Sequence, residues 1–403
     1  MTIRSKLAKV ARAREDGRLV PMAASWMRAL GKVAVNPASD RVRLHAPPFV
    51  QPDASELPLV RRIFAAFRLM KEQQRRGNPL YLPSSLWQET FDAAFPSLAT
   101  SLDTGDIDAF HYFLANFGAW PEYTGITWSP LVRSGVNSTL RRRYLENEVF
   151  LRQAELWRWF YGNRVPFSEL RQPQHGNQYG AYIDGEFVTV TSFPLEVYAR
   201  IIADLLASRE ESARSRPVIA ELGAGYGVQA FYLLSKIGSA GYVDFDLPET
   251  LCLAAYFLMK EFPGRRALLY GEGDFSPASL QEFDLVFMPS FEMEKLASDS
   301  VDVFVNEFSL GEMTPAAARN YIGHIARTTD FFFHVNNDRI RNVYSDADQS
   351  LLACEFPVPS DRFTKLFRYP DWFHAINRGF FNPASDSVAY LYRRHTPARS
   401  AGG

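Results

Sequence analysis

The sequence predicts an α/β protein with a doubly wound, mostly parallel sheet in its C-terminal half. An N-terminal, mostly helical domain precedes the sheet, and a small β-hairpin joint links the two. From Arg216 onward, short apolar runs alternate with amphipathic stretches, the texture of strands joined by crossover helices. One run, 218–222, passes directly into three closely spaced glycines. Before residue 165, apolar residues recur at helical spacing instead. The expected division is 1–165 (helical), 166–210 (hairpin and helix) and 211–403 (the α/β sheet).

In 60–75, Val60, Ile63, Phe64, Phe67 and Met70 share one helical face, with Arg61, Arg62, Arg68, Lys71 and Glu72 between them. Pro47, Pro48, Pro52 and Pro58 mark a loop before this helix, and Pro79, Pro83, Pro96, Pro121 and Pro130 cut the following stretch into short pieces. A further helix is expected over 139–161, with Leu140, Tyr144, Leu151, Ala154, Trp157 and Tyr161 as its apolar series. Its basic triplet Arg141–Arg143 reads as a solvated face paired to Glu146 ahead of a phosphate contact. Trp157, Trp159, Phe160 and Tyr161 read as core ahead of a sugar-stacking platform.

The polar stretch 172–180 is expected as a loop. Asp184–Gly185 then separates two β-like segments, a hairpin signal. Pro194 is expected to open a helix with Val197, Tyr198, Ile201, Ile202 and Leu205 on its apolar face. Beyond it, expected strands at 218–222, 241–246, 283–288, 301–307 and 331–335 are separated by helices at 229–237, 248–262 and 316–328. A late run, 387–392, is expected as an antiparallel edge strand.

The 403 residues are 47% hydrophobic and 22% charged, which suits a globular chain with a large core. Two cysteines, Cys252 and Cys354, exclude a disulfide framework and a cysteine-rich zinc site. They fit a reducing compartment, so a cytoplasmic location is expected. Lys plus Arg is 44 against Asp plus Glu 45, which argues against a nucleic-acid partner. No apolar run approaches the ~18 residues of a membrane span. Lys6, Lys9, Arg12 and Arg14 interrupt any secretory h-region, and a surface helix or frayed end is expected there ahead of a transit peptide. Homo-oligomerisation is compatible with the sequence and not specified by it.

The stretch VIAELGAGYGVQA (218–230) carries the sharpest signal. Gly223, Gly225 and Gly227 allow positive φ and close backbone approach to a ligand at the start of a helix. The dinucleotide fingerprint G-x-G-x-x-G fails at Val228, and a P-loop Gly-Lys-Ser/Thr is absent. Nineteen residues beyond Gly227, Asp246 is placed to accept hydrogen bonds from both hydroxyls of a ribose. Glu221, the three glycines and Asp246 together resemble the S-adenosylmethionine site of class I methyltransferases.

HGNQYGAYIDG (175–185), VDFDLPETL (243–251) and VNEFSLGEM (305–313) extend the likeness. With ELGAGYG they resemble the bacterial sugar O-methyltransferases over about 175–340. Gln178 stands where that family's pattern has proline. The resemblance implies a Rossmann-like methyltransferase sheet, S-adenosyl-L-methionine as cofactor and a sugar or related small molecule as acceptor. Cofactor contacts are expected from Glu221, Gly223, Gly225, Tyr226, Gly227, Asp246 and Asn306. Ser290 and Phe291 should face the adenine, with Asp274 in that role if 267–270 were the third strand.

A sugar hydroxyl is a poor nucleophile, so a base should remove its proton. The loops after the fourth and fifth strands offer Glu307, Ser309 and Glu312, then His334, Asn336, Asn337 and Asp338. Glu312 is the leading base, against a role at the start of the next helix. His334 and Asp338 are the other catalytic candidates, although a core histidine is the stronger reading of His334. His175, Asn177, Ser309 and Asn336 are expected to touch the acceptor. No paired-aspartate motif calls for a metal. The rival readings are an N-methyltransferase on an amine or peptide, a non-catalytic partner subunit that keeps the glycine motif, and a nicotinamide oxidoreductase.

Overall fold

A computed structural model describes residues 41–119, 139–208, 216–344, 349–375 and 386–395, with isolated positions before 41. The side chains at 93–94, 139–146 and 148 lie outside that description, and with them the expected Arg141–Glu146 face. The expectations for the first twenty residues lie outside it too.

Strand β1 (Val42–His45) leads into helix α1 (Leu57–Arg76), whose first turn holds Pro58. All five expected apolar positions of α1 are buried. Phe64 and Phe67 meet Phe110 at ring distances of 4.9 and 5.8 Å. Short helices α2 (Ser85–Ala94), α3 (Pro96–Thr104) and α4 (Ile107–Asn116) follow, as the prolines foretold, and α5 (Thr139–Phe160) comes next. Strands β2 (Gly180–Ile183) and β3 (Glu186–Val188) form the hairpin around Asp184–Gly185, both at positive φ. β1 adds to it as a third antiparallel strand, with Val42 opposite Ile183. Helix α6 (Ser192–Ala207) starts two residues before Pro194, which therefore sits inside its first turn.

The second half forms one eight-stranded sheet. Its elements are β4 (Val218–Leu222), α7 (Val228–Lys236), β5 (Gly241–Asp246), α8 (Pro248–Glu261), β6 (Ala267–Leu269), β7 (Leu285–Pro289), β8 (Val301–Glu307), α9 (Pro315–Thr328), β9 (Thr329–Asn337), β10 (Phe363–Pro370) and β11 (Ser387–Arg394). The spatial order is β10-β11-β9-β8-β4-β5-β7-β6, and β4 to β9 run parallel. Both 267–269 and 285–289 are strands, and the latter is the neighbour of β5. The late strand β11 is antiparallel, but it is not the edge. It lies between β9 and β10, and β10 is the edge. β11 is buried along most of its length, whereas β10 exposes Lys365 and Leu366, as an edge strand can.

One face of the sheet, with Ile219, Val303 and Phe333, packs under α6, α7 and α8; the other, with Ala220, Phe304 and Phe332, packs under α9. The N-terminal helices continue the first core rather than standing apart from it: Phe67 of α1 and Phe110 of α4 belong to the same buried cluster as Leu251 and Phe257 of α8. Polar ties reinforce the seam. Lys71 meets Glu249 at 2.6 Å, and Glu56 accepts from Tyr256 and Lys260, each at 2.5 Å. Among the described residues, no helix is long and apolar enough to cross a membrane.

Candidate active site at the strand ends

The chain builds β5 and β7 to one side of β4, then β8 and β9 to the other. A crevice therefore opens at the carboxyl ends of β4 and β8, where this sheet type holds its ligands. Gly223, Gly225 and Gly227 turn the chain there with φ of +81°, +63° and +91°. Gly223 is also crowded: a Cβ on it would lie 2.4 Å from Ser309 Oγ. Gly227 forms the N-terminus of α7, which has no side-chain cap.

Asp246 closes the other side of the loop. Its Oδ2 accepts from Gly225 N–H at 3.1 Å and its Oδ1 from Leu247 N–H at 2.7 Å. Burial pushes its pKa up to about 6, against the pull of Thr250 and these backbone donors.

A cavity of about 530 Å³ lies over these groups, within the range of small-molecule sites. Gly223, Gly225, Asp246, Ser290, Ser309 and Glu312 all line it. The N-terminal region contributes Pro83, Ser84 and Trp87 as one wall. Trp87 Nε1–H donates to Glu312 Oε2 at 3.0 Å, and Ser84 Oγ donates to the Glu312 carbonyl at 2.8 Å. Burial raises the Glu312 carboxyl to about 7, with a smaller push from Asp246.

Beneath the cavity, the NEFSLGEM segment is tied to the sheet. Asn306 Nδ2 donates to Leu222 O at 2.8 Å, and Ser309 Oγ donates to the same carbonyl at 2.9 Å. Asn336 Nδ2 donates to Asn306 Oδ1 and its Oδ1 accepts from Gly311 N–H, both at 2.9 Å. Asn306 and Asn336 are therefore occupied as struts and are absent from the cavity lining. Phe308, at the bend, takes φ +64°, a costly conformation for a bulky residue, and lines the cavity.

Other expected site residues are placed elsewhere. Glu221 lies buried under the glycine loop, where Tyr242 OH donates to it at 2.7 Å and burial raises it to about 8. Tyr226 turns away and accepts from Gln172 Nε2 at 3.0 Å. Phe291 packs edge-on to Tyr270 and is outside the lining, as is Asp274. His334 is fully buried within β9, 4.8 Å from the Tyr390 ring, and burial lowers its pKa to about 3. Asp338 is paired with Arg368 and accepts from Tyr390 OH at 2.6 Å. His175 pairs with Glu261 at 3.1 Å, and Asn177 donates to Pro48 O at 2.7 Å. Apart from Glu221 and Tyr226, which underpin the glycine loop, these side chains serve packing and loop closure away from the cavity.

Glu221 makes a pH prediction about stability. Its folded pKa of about 8 exceeds the ordinary 4.5. Its stabilising contribution is complete below pH 4.5 and is lost as pH rises through 8. Denaturant melts should show stability falling between pH 5 and 8. Glu221→Gln, which keeps an acceptor for Tyr242, should flatten that fall; an unchanged slope would show that Glu221 ionises freely.

The sequence reading did not find His374. The residue lines the cavity, and its Nδ1 is hydrogen-bonded to Asp371. Asp371 is buried and accepts from Phe373 N–H at 3.0 Å. The D-x-x-H spacing at 371–374 was the available signal, but it lies far along the chain from the glycine loop. Among the described residues, no cluster of His, Cys, Asp and Glu has the arrangement of a metal site.

No protein-family model matches the chain, and no curated protein matches it. Solved structures similar over part of it include the magnesium protoporphyrin IX methyltransferase ChlM from Synechocystis PCC 6803 with bound SAM. It is 14% identical with a TM-score of 0.34, over 64% of this chain and 96% of that one. The mitomycin 7-O-methyltransferase MmcR is 12% identical with a TM-score of 0.30, over 49% of this chain and 54% of that one. The glycopeptide N-methyltransferase MtfA is 15% identical with a TM-score of 0.31, over 49% and 89%. The matched region spans about half the length of MmcR. Similarities of this extent say nothing about the chemistry, which has to come from the site itself.

Proposed function

We propose that the protein is an S-adenosylmethionine-dependent O-methyltransferase acting on a sugar or related polar small molecule. The observation that carries this reading is the glycine loop closed by Asp246 at the floor of the cavity. The residues present fit the cofactor. Gly223 lets the loop backbone line the cavity while packed against Ser309 more closely than a Cβ would allow, and Asp246 offers a carboxylate to ribose hydroxyls. Ser290 and Tyr321 lie at the β7 side for the base. Bound there, S-adenosylmethionine supplies an electrophilic methyl group on a positively charged sulfur. The cavity walls then hold the acceptor oxygen in line with it and keep water out.

Trp87, fixed by its bond to Glu312, offers a flat face on which a sugar ring can stack. Asp246, Glu307 and Glu312 face the cavity, and no Lys or Arg lines it among the described residues. An acid-lined cavity with no Lys or Arg to meet a diphosphate favours an unphosphorylated acceptor over a sugar nucleotide. It also supports a second reading, transfer to an amine, which would arrive as a cation.

Calorimetry tests the cofactor. S-adenosylmethionine and S-adenosylhomocysteine should bind and NAD should not. Affinity for S-adenosylhomocysteine should fall as pH drops below 6, because protonated Asp246 accepts hydrogen bonds less well. Asp246→Asn should weaken binding by roughly 1–3 kcal/mol and remove that pH dependence. NAD binding without S-adenosylhomocysteine binding would overturn the reading. Transfer of labelled methyl groups to sugars, nucleotide sugars and amines then separates the acceptor classes.

A further inference from the structure

Three features converge at the β8 side of the cavity. The first is the order of the strand ends: Asp246 on β5, the glycine loop on β4, then Glu307, Phe308 and Ser309 on β8. On the proposed reading, a ligand with its ribose at Asp246 and its chain across the glycines directs its sulfur toward β8. The second is His374, whose ring packs on Phe308 with centroids 5.0 Å apart at 60°. The third is the support behind that ring. Asp371 binds Nδ1, and its own N–H donates to Ser387 O at 2.9 Å, at the junction of β10 and β11. Gln153 of α5 donates to Phe373 O at 2.8 Å and braces the segment from the other side.

Glu312 is placed differently. It is held in the N-terminal wall, where Trp87 occupies one of its oxygens and Ser84 its carbonyl. A base for the acceptor has to stand beyond the sulfur with an atom free to take the proton.

We propose that His374, oriented by Asp371, is the general base that removes the acceptor proton. The proposal rests on the methyltransferase reading. Nδ1 is held by Asp371, so Nε2 takes the hydroxyl proton as the acceptor oxygen gains the methyl carbon and the carbon–sulfur bond breaks. The products are a methyl ether, S-adenosylhomocysteine and an imidazolium beside the Asp371 carboxylate. Asp371 is a positioning residue.

The groups around the pair fit this division. Burial disfavours the His374 imidazolium, but the charge and hydrogen bond of Asp371 outweigh it and hold the pKa above 6.5. Glu307 of β8, Tyr198 of α6 and Tyr369 of β10 also face Asp371. Burial and neighbouring acids push all three up, which disfavours their charged forms, whereas His374 holds the Asp371 carboxyl below its usual range against the opposing effect of burial. A base with a pKa near the working pH is the efficient choice.

The two nucleosides themselves serve as the probe. S-adenosylmethionine and S-adenosylhomocysteine differ by one methyl group and one positive charge at sulfur. NMR titration of His374 in each complex, assigned with His374→Gln, should give a pKa lower in the S-adenosylmethionine complex by roughly 0.5–2 pH units. Asp371→Asn should lower it in both complexes. For any unphosphorylated sugar or phenol that the wild type methylates, His374→Gln should lower turnover by roughly 10²–10⁴ and leave S-adenosylhomocysteine affinity unchanged. Identical His374 titration in the two complexes would overturn the proposal, as would near-normal turnover of His374→Gln; in either case the cofactor assignment would stand. Failure of both nucleosides to bind would instead remove the methyltransferase reading on which it rests.

Discussion

Replacing Gly223 with alanine is expected to reduce S-adenosylhomocysteine affinity by more than about 100-fold. Two costs act together. The backbone sits at φ +81°, where an L side chain is strained by roughly 1–2 kcal/mol. The new methyl would also lie 2.4 Å from Ser309 Oγ and 2.5 Å from Ser309 Cβ. Ser309 has little room to yield, because its hydroxyl is bonded to Leu222 O and to Asn306 Nδ2. The loop itself must move, and with it Gly225 N–H, which is bonded to Asp246. Gly185→Ala is the matched control. Its φ is +92°, but nothing lies within 4 Å of the position its Cβ would take. It should cost about 1 kcal/mol of stability and leave affinity alone. Calorimetry and thermal melting on both variants separate the effects. Wild-type affinity in Gly223→Ala would show that the ligand does not lie against this loop.

The parts of the fold that were legible in the sequence are those in which local pattern and tertiary demand agree. β4, β5 and β8 are apolar runs buried on both faces, and their bounds can be read directly as 218–222, 241–246 and 301–307. The Asp184–Gly185 hairpin is specified by turn chemistry. β1 and β10 were not legible. VRLH and FTKLFRYP hold basic residues and stand at sheet edges, so no apolar run marks them. The position of β11 was misjudged for a related reason: sequence order puts it last, but only pairing with both β9 and β10 places it inside the sheet.

The site divides in the same way. Gly223, Gly225 and Asp246 were legible because backbone conformation and strand spacing fix them locally. Asn306 sits where the motif suggested and Asn336 just past the expected strand 331–335, but they satisfy each other and the Leu222 carbonyl. His334 lies inside the expected strand 331–335, and its side chain enters the core beside Tyr390, in line with the stronger of the two readings its apolar context suggested. Trp87 and His374 reach the cavity from segments far from the glycine loop in sequence, through packing that no local pattern encodes.

Trp157→Ala is expected to cost about 3–5 kcal/mol of stability, the range for emptying a large buried aromatic site. The indole is fully buried in the core that joins α5 to the hairpin sheet, α6 and Phe373. Its Nε1–H donates to Glu196 Oε2 at 2.8 Å. Glu196 is itself fully buried and keeps Tyr161, Arg200 and Lys236 as partners, at 2.9, 2.9 and 2.7 Å. The loss therefore comes mainly from the cavity, with a smaller part from the missing donor. Trp157→Phe, which fills most of the volume and lacks only the N–H, should cost much less. Two residues along the same helix, Trp159 is 75% exposed, and Trp159→Ala should change stability by no more than about 0.5 kcal/mol. Chemical denaturation of the three variants decides between core and binding platform. A sugar-stacking role for Trp157 would leave the melt unchanged and weaken acceptor binding; a core role gives the reverse order. Because Gln153 on this helix also holds Phe373, unfolding around Trp157 would loosen the segment that carries Asp371 and His374. Turnover in Trp157→Ala should then fall with stability, while the exposed Trp159→Ala keeps both.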